Sequence, residues 1–360
     1  MKRFVKIYTY WLLGMLLFTG CDDYLKEDSG DLLIPGKVDE FLPMLYKEGF
    51  PQNFNEEVAW LYLMTDDVEM GQLELDPDDE SYETRDKNSL DVLSAGEGEE
   101  PYKWEREIKS YADNFWERRY GNILACNLVI DALPEMKYVE ADSGVYNFLA
   151  AQAYALRAYY YWCLVNSYAL PWSKENLDKP GVIIRTEPQI DISARERSSI
   201  RDVYDLINGD IKEAEKYIKV ATFDGNIHRL SEPAILLLAS RIALFQENWD
   251  EVIRTGELFL AQNSVILNLN DQDTTLFGTE KGLNNKIFTM MDGTINKEVV
   301  FTFGTSSYTP YDYLSTSGAF YGLGFRPSHS TDESLIRSYE EGDLRKKAYF
   351  LKDVPAKKAE

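Results

Sequence analysis

Two stretches of this chain carry the residue types that can recognise a sugar. One holds Tyr82, Arg85, Tyr102 and Trp104, and the other holds Tyr308, Tyr311, Tyr313 and Tyr321. Sugars present apolar C–H faces and a rim of hydroxyls. Flat aromatic rings flanked by Asp, Asn and Arg meet both needs. The same side chains could instead cover helices beneath them.

Other chemistries have less support. The chain holds 61 Asp and Glu residues, but a glycoside hydrolase needs two carboxyl groups at a defined separation in a cleft. Here the acids are scattered, and only product formation on a glycan panel would revive that reading. Asp76-Pro77-Asp78-Asp79-Glu80 clusters carboxylates suited to a hard cation. The stretch to Glu83 lacks the glycine and terminal glutamate of a calcium loop, so a solvated acidic loop is expected. His228 and His329 are the only histidines, too few for a histidine-rich zinc site. Neither a Ser-His-Asp motif nor CxxC or HExxH occurs. Gly96-Glu97-Gly98-Glu99-Glu100 has the wrong sign for a phosphate cradle. The expectation is no enzyme, no metal and no cofactor. A formal net charge of -23 repels nucleic acid and anionic lipid and suits neutral or cationic ligands.

The elements that must position these stretches are helices. Phe148–Tyr168 is apolar nearly all round, with only Gln152 and Arg157 plainly polar between Leu149 and Val165. Such a helix is buried. The two polar residues leave it short of the roughly 20 apolar residues of a membrane span. Asn114–Leu133 precedes it, with Asn114 and Glu117 resembling a capping box. Asn127 on its apolar stripe should hydrogen-bond a neighbouring turn. Cys126 and Cys163 fall in these apolar helices as buried free thiols.

Ser198 or Ser199 should cap Ile200–Val220, and Ser231 should cap the next helix, with Pro233 in its first turn. Gln246-Glu247-Asn248 then turns the chain tightly into Asp250–Ala261, which must return antiparallel. Val38–Gly49 predicts a short helix interrupted by Pro43. Glu298–Phe303 predicts a strand, and Thr331–Glu341 a last helix. From Asp66 to Glu107 periodicity disappears, which reads as a functional or disordered loop. The predicted fold class is mainly α, with tetratricopeptide-like helix pairs in an α-α superhelix, long loops and a few short strands.

The N-terminus predicts export. Lys2, Arg3 and Lys6 precede the apolar run Ile7–Phe18, ending in Leu17-Phe18-Thr19-Gly20-Cys21. This resembles a bacterial lipobox, although Phe18 replaces the usual Leu. Residues 1–20 would be the signal peptide and Cys21 the acylated anchor, holding the protein to a membrane through lipid alone.

Several segments together resemble the SusD/RagB family of nutrient-binding outer-membrane lipoproteins. They are Cys21-Asp22-Asp23-Tyr24-Leu25, Thr65-Asp66-Asp67, Trp116 to Asn127, Ala151–Tyr168 with Pro171, Val203 to Ala214, and Arg229-Leu230-Ser231 onward to Trp249. Glu298-Val299-Val300-Phe301 and Pro327-Ser328 through Arg345 complete the order. The resemblance covers about Cys21 to Phe350. Val252 departs from the family's frequent Ala. The chain also stops at Glu360, where the family usually continues into another helical portion.

The resemblance implies a SusD-like domain over 21–360. Its helical repeat core would span about 108–262, with ligand-side segments at about 60–107 and 263–330. It further implies a cell-surface protein without catalysis that captures an oligosaccharide or other nutrient. That protein would act as a lid on a SusC-like TonB-dependent transporter of the outer membrane. A membrane-anchored helical-repeat scaffold for a peptide or protein is the alternative; its binding would be indifferent to the aromatic loops.

Overall fold

The computed structural model describes residues 37–52, 64–70, 99–106, 115–189, 193–277, 297–303, 325–328, 331 and 333–348. In chain order its elements are α1 (Val38–Met44), β1 (Val68–Met70), α2 (Glu99–Tyr102), α3 (Phe115–Ala132) and α4 (Ser143–Tyr168). Then come α5 (Ile200–Ile218), α6 (Glu232–Phe245), α7 (Trp249–Gln262), β2 (Phe325–Pro327), α8 (Leu335–Ser338) and α9 (Leu344–Ala348). The fold is mainly helical, as its periodicity predicts.

α4 is the centre. Leu149, Ala150, Ala151, Ala153, Ala155, Ala158, Tyr160, Tyr161 and Leu164 are fully inaccessible to solvent. α3 packs on one side and α5 on another. The alanines let backbones approach, and the aromatics fill the remaining space. No described helix is long and apolar enough to cross a membrane.

The two polar residues of α4 are structural clamps. Gln152 Nε2 donates to the Leu230 carbonyl at 2.8 Å, and Leu230 N–H donates to Gln152 Oε1 at 2.8 Å. This fixes the chain just before the Ser231 cap of α6, whose hydroxyl accepts from Ala234 N–H. Arg157 pairs with Asp210 of α5 and also donates to Asn127 Oδ1 at 2.9 Å. Asn127 Nδ2 donates to the carbonyls of Arg185 and Glu187 at 3.0 and 3.2 Å. The neighbouring connection therefore satisfies this buried amide, as expected.

Ser199 caps α5 in a full capping box with Asp202. Glu247 takes φ 54° in the turn between α6 and α7, and Asn248 caps α7. After Pro43 the first helix widens into a π turn over Leu45–Gly49. Proline removes a donor from the ladder, so the following turn rearranges. The Gly49 carbonyl there accepts from Tyr160 Oη at 2.5 Å. A Cβ at Gly49 would lie 2.4 Å from Leu45 Cδ1.

Two expectations change. Residues 297–303 form no strand. Among the described residues, Thr302 N–H donates to the Ile227 carbonyl at 2.9 Å, and the Thr302 carbonyl bonds His228 Nδ1 at 3.0 Å. Strand propensity alone does not make a strand, and among the described residues the only ladder is the one between Val68–Met70 and Phe325–Pro327. The predicted helix over Thr331–Glu341 shrinks to Leu335–Ser338, with Tyr339 extended. Ser338 Oγ bonds the Leu335 carbonyl at 2.7 Å, competing with helix continuation. Gly342 at φ 92° then redirects the chain into α9.

Candidate functional site

The strand that does form is built from residues outside the predicted one. β1 pairs antiparallel with β2, with Val68 opposite Pro327, Glu69 opposite Arg326 and Met70 opposite Phe325. The chain that follows Met70 leads to Tyr82 and Arg85. The chain that precedes Phe325 carries Tyr308, Tyr311, Tyr313 and Tyr321. In an antiparallel ribbon these two directions leave from the same end. The ribbon therefore roots both aromatic segments at one rung, Met70–Phe325.

Ser328 locks this root. It is 6 % exposed. Its N–H donates to the Asp67 carbonyl and its Oγ to the Asp66 carbonyl, both at 2.8 Å. Its Oγ also accepts from Leu335 N–H at 3.0 Å, and its carbonyl accepts from Ile336 N–H at 2.9 Å. One small side chain thus ties the Thr65-Asp66-Asp67 turn, the ribbon and α8. The sequence displays both partners, but nothing in their spacing of more than 250 positions reveals that they touch.

The far ends of both segments are also held. Phe301 lies 6.4 Å from Phe50, ring to ring, and Thr302 bonds the Ile227–His228 turn. On the other segment, α2 closes with Glu105 N–H donating to the Glu100 carbonyl at 3.0 Å. Tyr102 is half-buried, whereas Trp104 is 67 % exposed at φ 54°. A bulky residue rarely adopts that left-handed conformation. Of the eight candidate ligand contacts, only Tyr102 and Trp104 fall among the described residues. Tyr82, Arg85, Tyr308, Tyr311, Tyr313, Tyr321 and the expected anchor Cys21 lie outside them, as does the Asp76–Glu83 acidic cluster.

The electrostatics separate scaffold from surface. Burial pushes the Cys126 thiol far up, so this residue stays an inert thiol. Burial likewise raises the phenols of Tyr120 and Tyr161, which bond the Ile183 and Arg185 carbonyls. Sequence reading missed Arg119, which is 1 % exposed between the rings of Phe115 and Tyr160 at 4.7 and 5.2 Å. An arginine at the Trp116-Glu117-Arg118-Arg119 run gives no sign of which of its charges is buried.

Comparison with known proteins fits this geometry. A family model, SusD-like, described as starch-binding associating with outer membrane, matches residues 44–244. The chain is similar to SusD-like protein P38 of Formosa agariphila, 27% identical over 158 residues, which are 43% of this chain and 27% of that protein. Among solved structures it resembles a SusD-like carbohydrate binding protein from Bacteroides vulgatus, with TM-score 0.60 and 19% identity over 87% of this chain and 60% of that one. It also resembles surface glycan-binding protein A from Bacteroides fluxus, with TM-score 0.53 and 16% identity over 86% of this chain and 63% of that one. The chain thus spans less than two thirds of the length of these relatives.

Proposed function

The chain belongs to the SusD-like family, and on that premise we propose that it is a binding protein, not an enzyme, that captures an oligosaccharide at the outer membrane. The observation that carries this reading is the Met70–Phe325 rung. There the chain leaves toward Tyr82 and Arg85 beside the point where it returns from Tyr308 to Tyr321, which supports a ligand held between the two segments. The glycan-binding relatives of the same fold support the ligand class. In this reading Tyr82, Arg85, Tyr102 and Trp104 face the ligand from one segment, and Tyr308, Tyr311, Tyr313 and Tyr321 from the other.

Delivery is the second half of the proposal. Lipid on Cys21 tethers the protein at the cell surface, and a SusC-like TonB-dependent transporter receives the captured ligand. Two experiments test the two halves separately. Electrophoresis of the full chain through gels containing starch or laminarin should show retardation by at least one of them, and free migration through both argues against capture. Mild-detergent purification of tagged protein from its own membranes should bring down a barrel transporter at equal stoichiometry. A membrane-anchored protein that emerges alone contradicts delivery.

A further inference from the structure

One end of the helical body presents a group of exposed apolar side chains. The α3–α4 turn exposes Tyr138 and Val139, and the turn after α5 exposes Val220 and Phe223. The two valines are 63 % and 65 % exposed. Single exposed apolar residues are ordinary, whereas a contiguous group marks a contact surface. Printed contacts between the two turns make this one group. Thr222 N–H donates to the Gly144 carbonyl at 3.0 Å, tying the start of α4 to the turn after α5. A Cβ on Gly144 would overlap the Thr222 side chain, so this closure admits no larger residue. The Phe223 ring lies 6.2 Å from the buried Phe148 ring, and Tyr138 stacks on Tyr146 at 4.4 Å. A fixed base thus holds the outward side chains.

The N-terminal part of the chain enters the body at this same end. Lys37 pairs with Lys137 in an isolated parallel bridge, next to Tyr138 and Val139. Cys21 stands 16 positions before Lys37, a reach of at most ~55 Å at about 3.4 Å per residue. The 26 residues of α4 put the opposite end of the body roughly 39 Å further away. A chain held by lipid on Cys21 therefore keeps the Tyr138–Val220 end nearest the bilayer. Tethering raises the local concentration of that surface, so a patch too small to bind a membrane alone can rest on one.

The rim of the patch is mixed in charge. Lys37, Lys137 and Lys219 stand among Asp39, Glu140 and Asp142, all exposed. Such a rim suits zwitterionic headgroups better than anionic ones, and tyrosine and lysine side chains are at home in the membrane interface. We propose that this end of the body is a membrane-contact face. It lies on the zwitterionic headgroups of the bilayer that holds the anchor, with Val139, Val220 and Phe223 entering at headgroup depth. The proposal rests on the reading that lipid on Cys21 tethers the protein.

The test uses the full chain, matured in its own host and reconstituted into phosphatidylcholine–phosphatidylethanolamine vesicles, with a fluorophore on one introduced thiol. Val139→Cys and Val220→Cys report on the face, and Glu175→Cys, beyond the far end of α4, is the control. Cys126 and Cys163 are buried and stay unlabelled. Each variant is checked for an unchanged melting temperature. The contact face predicts that doxyl-labelled lipid quenches the fluorophore at positions 139 and 220 at least twofold more than at 175. Equal quenching at the three positions, in acylated protein that floats with the vesicles, overturns the face and leaves the anchor standing. A chain that does not float and whose Cys21 carries no acyl mass overturns the anchor reading and the face together. Shielding of positions 139 and 220 only when a co-purified barrel is present assigns the face to a protein partner and overturns the membrane contact.

Discussion

Arg157 grips Asp210 with two parallel bonds, Nε to Oδ2 at 2.8 Å and Nη2 to Oδ1 at 2.7 Å, inside the interface of α4 and α5. Both side chains are under 10 % exposed. Burial opposes charge on each, and their mutual bonds favour it. On Arg157 the bonds prevail and hold the guanidinium above its ordinary value; on Asp210 burial prevails and the carboxyl sits above the usual Asp value. The pair therefore fixes how two helices meet more than it adds stability.

Removing one partner leaves the other charge buried. Arg157→Met should cost about 3–5 kcal/mol in denaturant unfolding. Arg157→Met with Asp210→Leu should cost less than Arg157→Met alone, since no orphan charge remains. An additive double variant would show that the two do not act as a pair.

Ser328→Ala should loosen the root of both aromatic segments. It removes the donor to the Asp66 carbonyl and the acceptor for Leu335 N–H. The expected outcome is an unchanged helical circular-dichroism signal, a loss of about 1–3 kcal/mol in stability and a several-fold fall in glycan affinity. Unchanged affinity would detach the ribbon from binding.

Much of this arrangement is legible in the sequence, and the reasons are local. The burial of α4, a cap at Ser198 or Ser199, the Ser231 cap, the tight α6–α7 turn and the need of Asn127 for a hydrogen-bond partner all follow from spacing within one element. Gln152 and Arg157 stand out as polar interruptions of a buried helix, yet their partners Leu230 and Asp210 lie 78 and 53 positions away. The β1–β2 rung is further still. Its strands are three residues each, too short for an alternation signal, whereas the richer Glu298–Phe303 run forms no strand. Only tertiary pairing decides between them. For the candidate site the chemistry of the two segments is readable, and their common root is not.

Trp104→Gly separates strain from function. Glycine adopts φ 54° without the cost a tryptophan carries there. Thermal unfolding should be unchanged or shifted upward, while glycan affinity falls about tenfold, the loss expected for an interface aromatic worth roughly 1.4 kcal/mol. A lower melting temperature with intact affinity would make Trp104 a structural residue.

Acidification should weaken the ion pair between Arg254 and Glu251 within α7. Arg254 bonds Glu251 at 2.6 Å and Glu215 at 2.7 Å. The Arg254 bond holds the Glu251 carboxyl below its usual value. A lowered carboxylate pKa means that the folded chain binds this proton less readily than the unfolded chain. Its stabilisation is complete above the ordinary value of 4.5 and is lost as pH falls through the lowered one. Glu251→Gln should therefore cost about 0.2–1 kcal/mol at pH 7 and shrink the stability difference between variant and parent below pH 4. An equal difference at pH 7 and pH 3 would contradict the ion pair.

The most direct measurement is calorimetric titration of the full chain with maltoheptaose and laminarihexaose, comparing the parent with the Tyr82→Ala/Tyr311→Ala double variant. One aromatic is removed from each segment rooted at the Met70–Phe325 rung. The account predicts saturable binding of at least one sugar by the parent. It also predicts coupled losses, with the double variant falling short of the summed effects of Tyr82→Ala and Tyr311→Ala because both rings serve one ligand. Parent-like affinity in the double variant would contradict it.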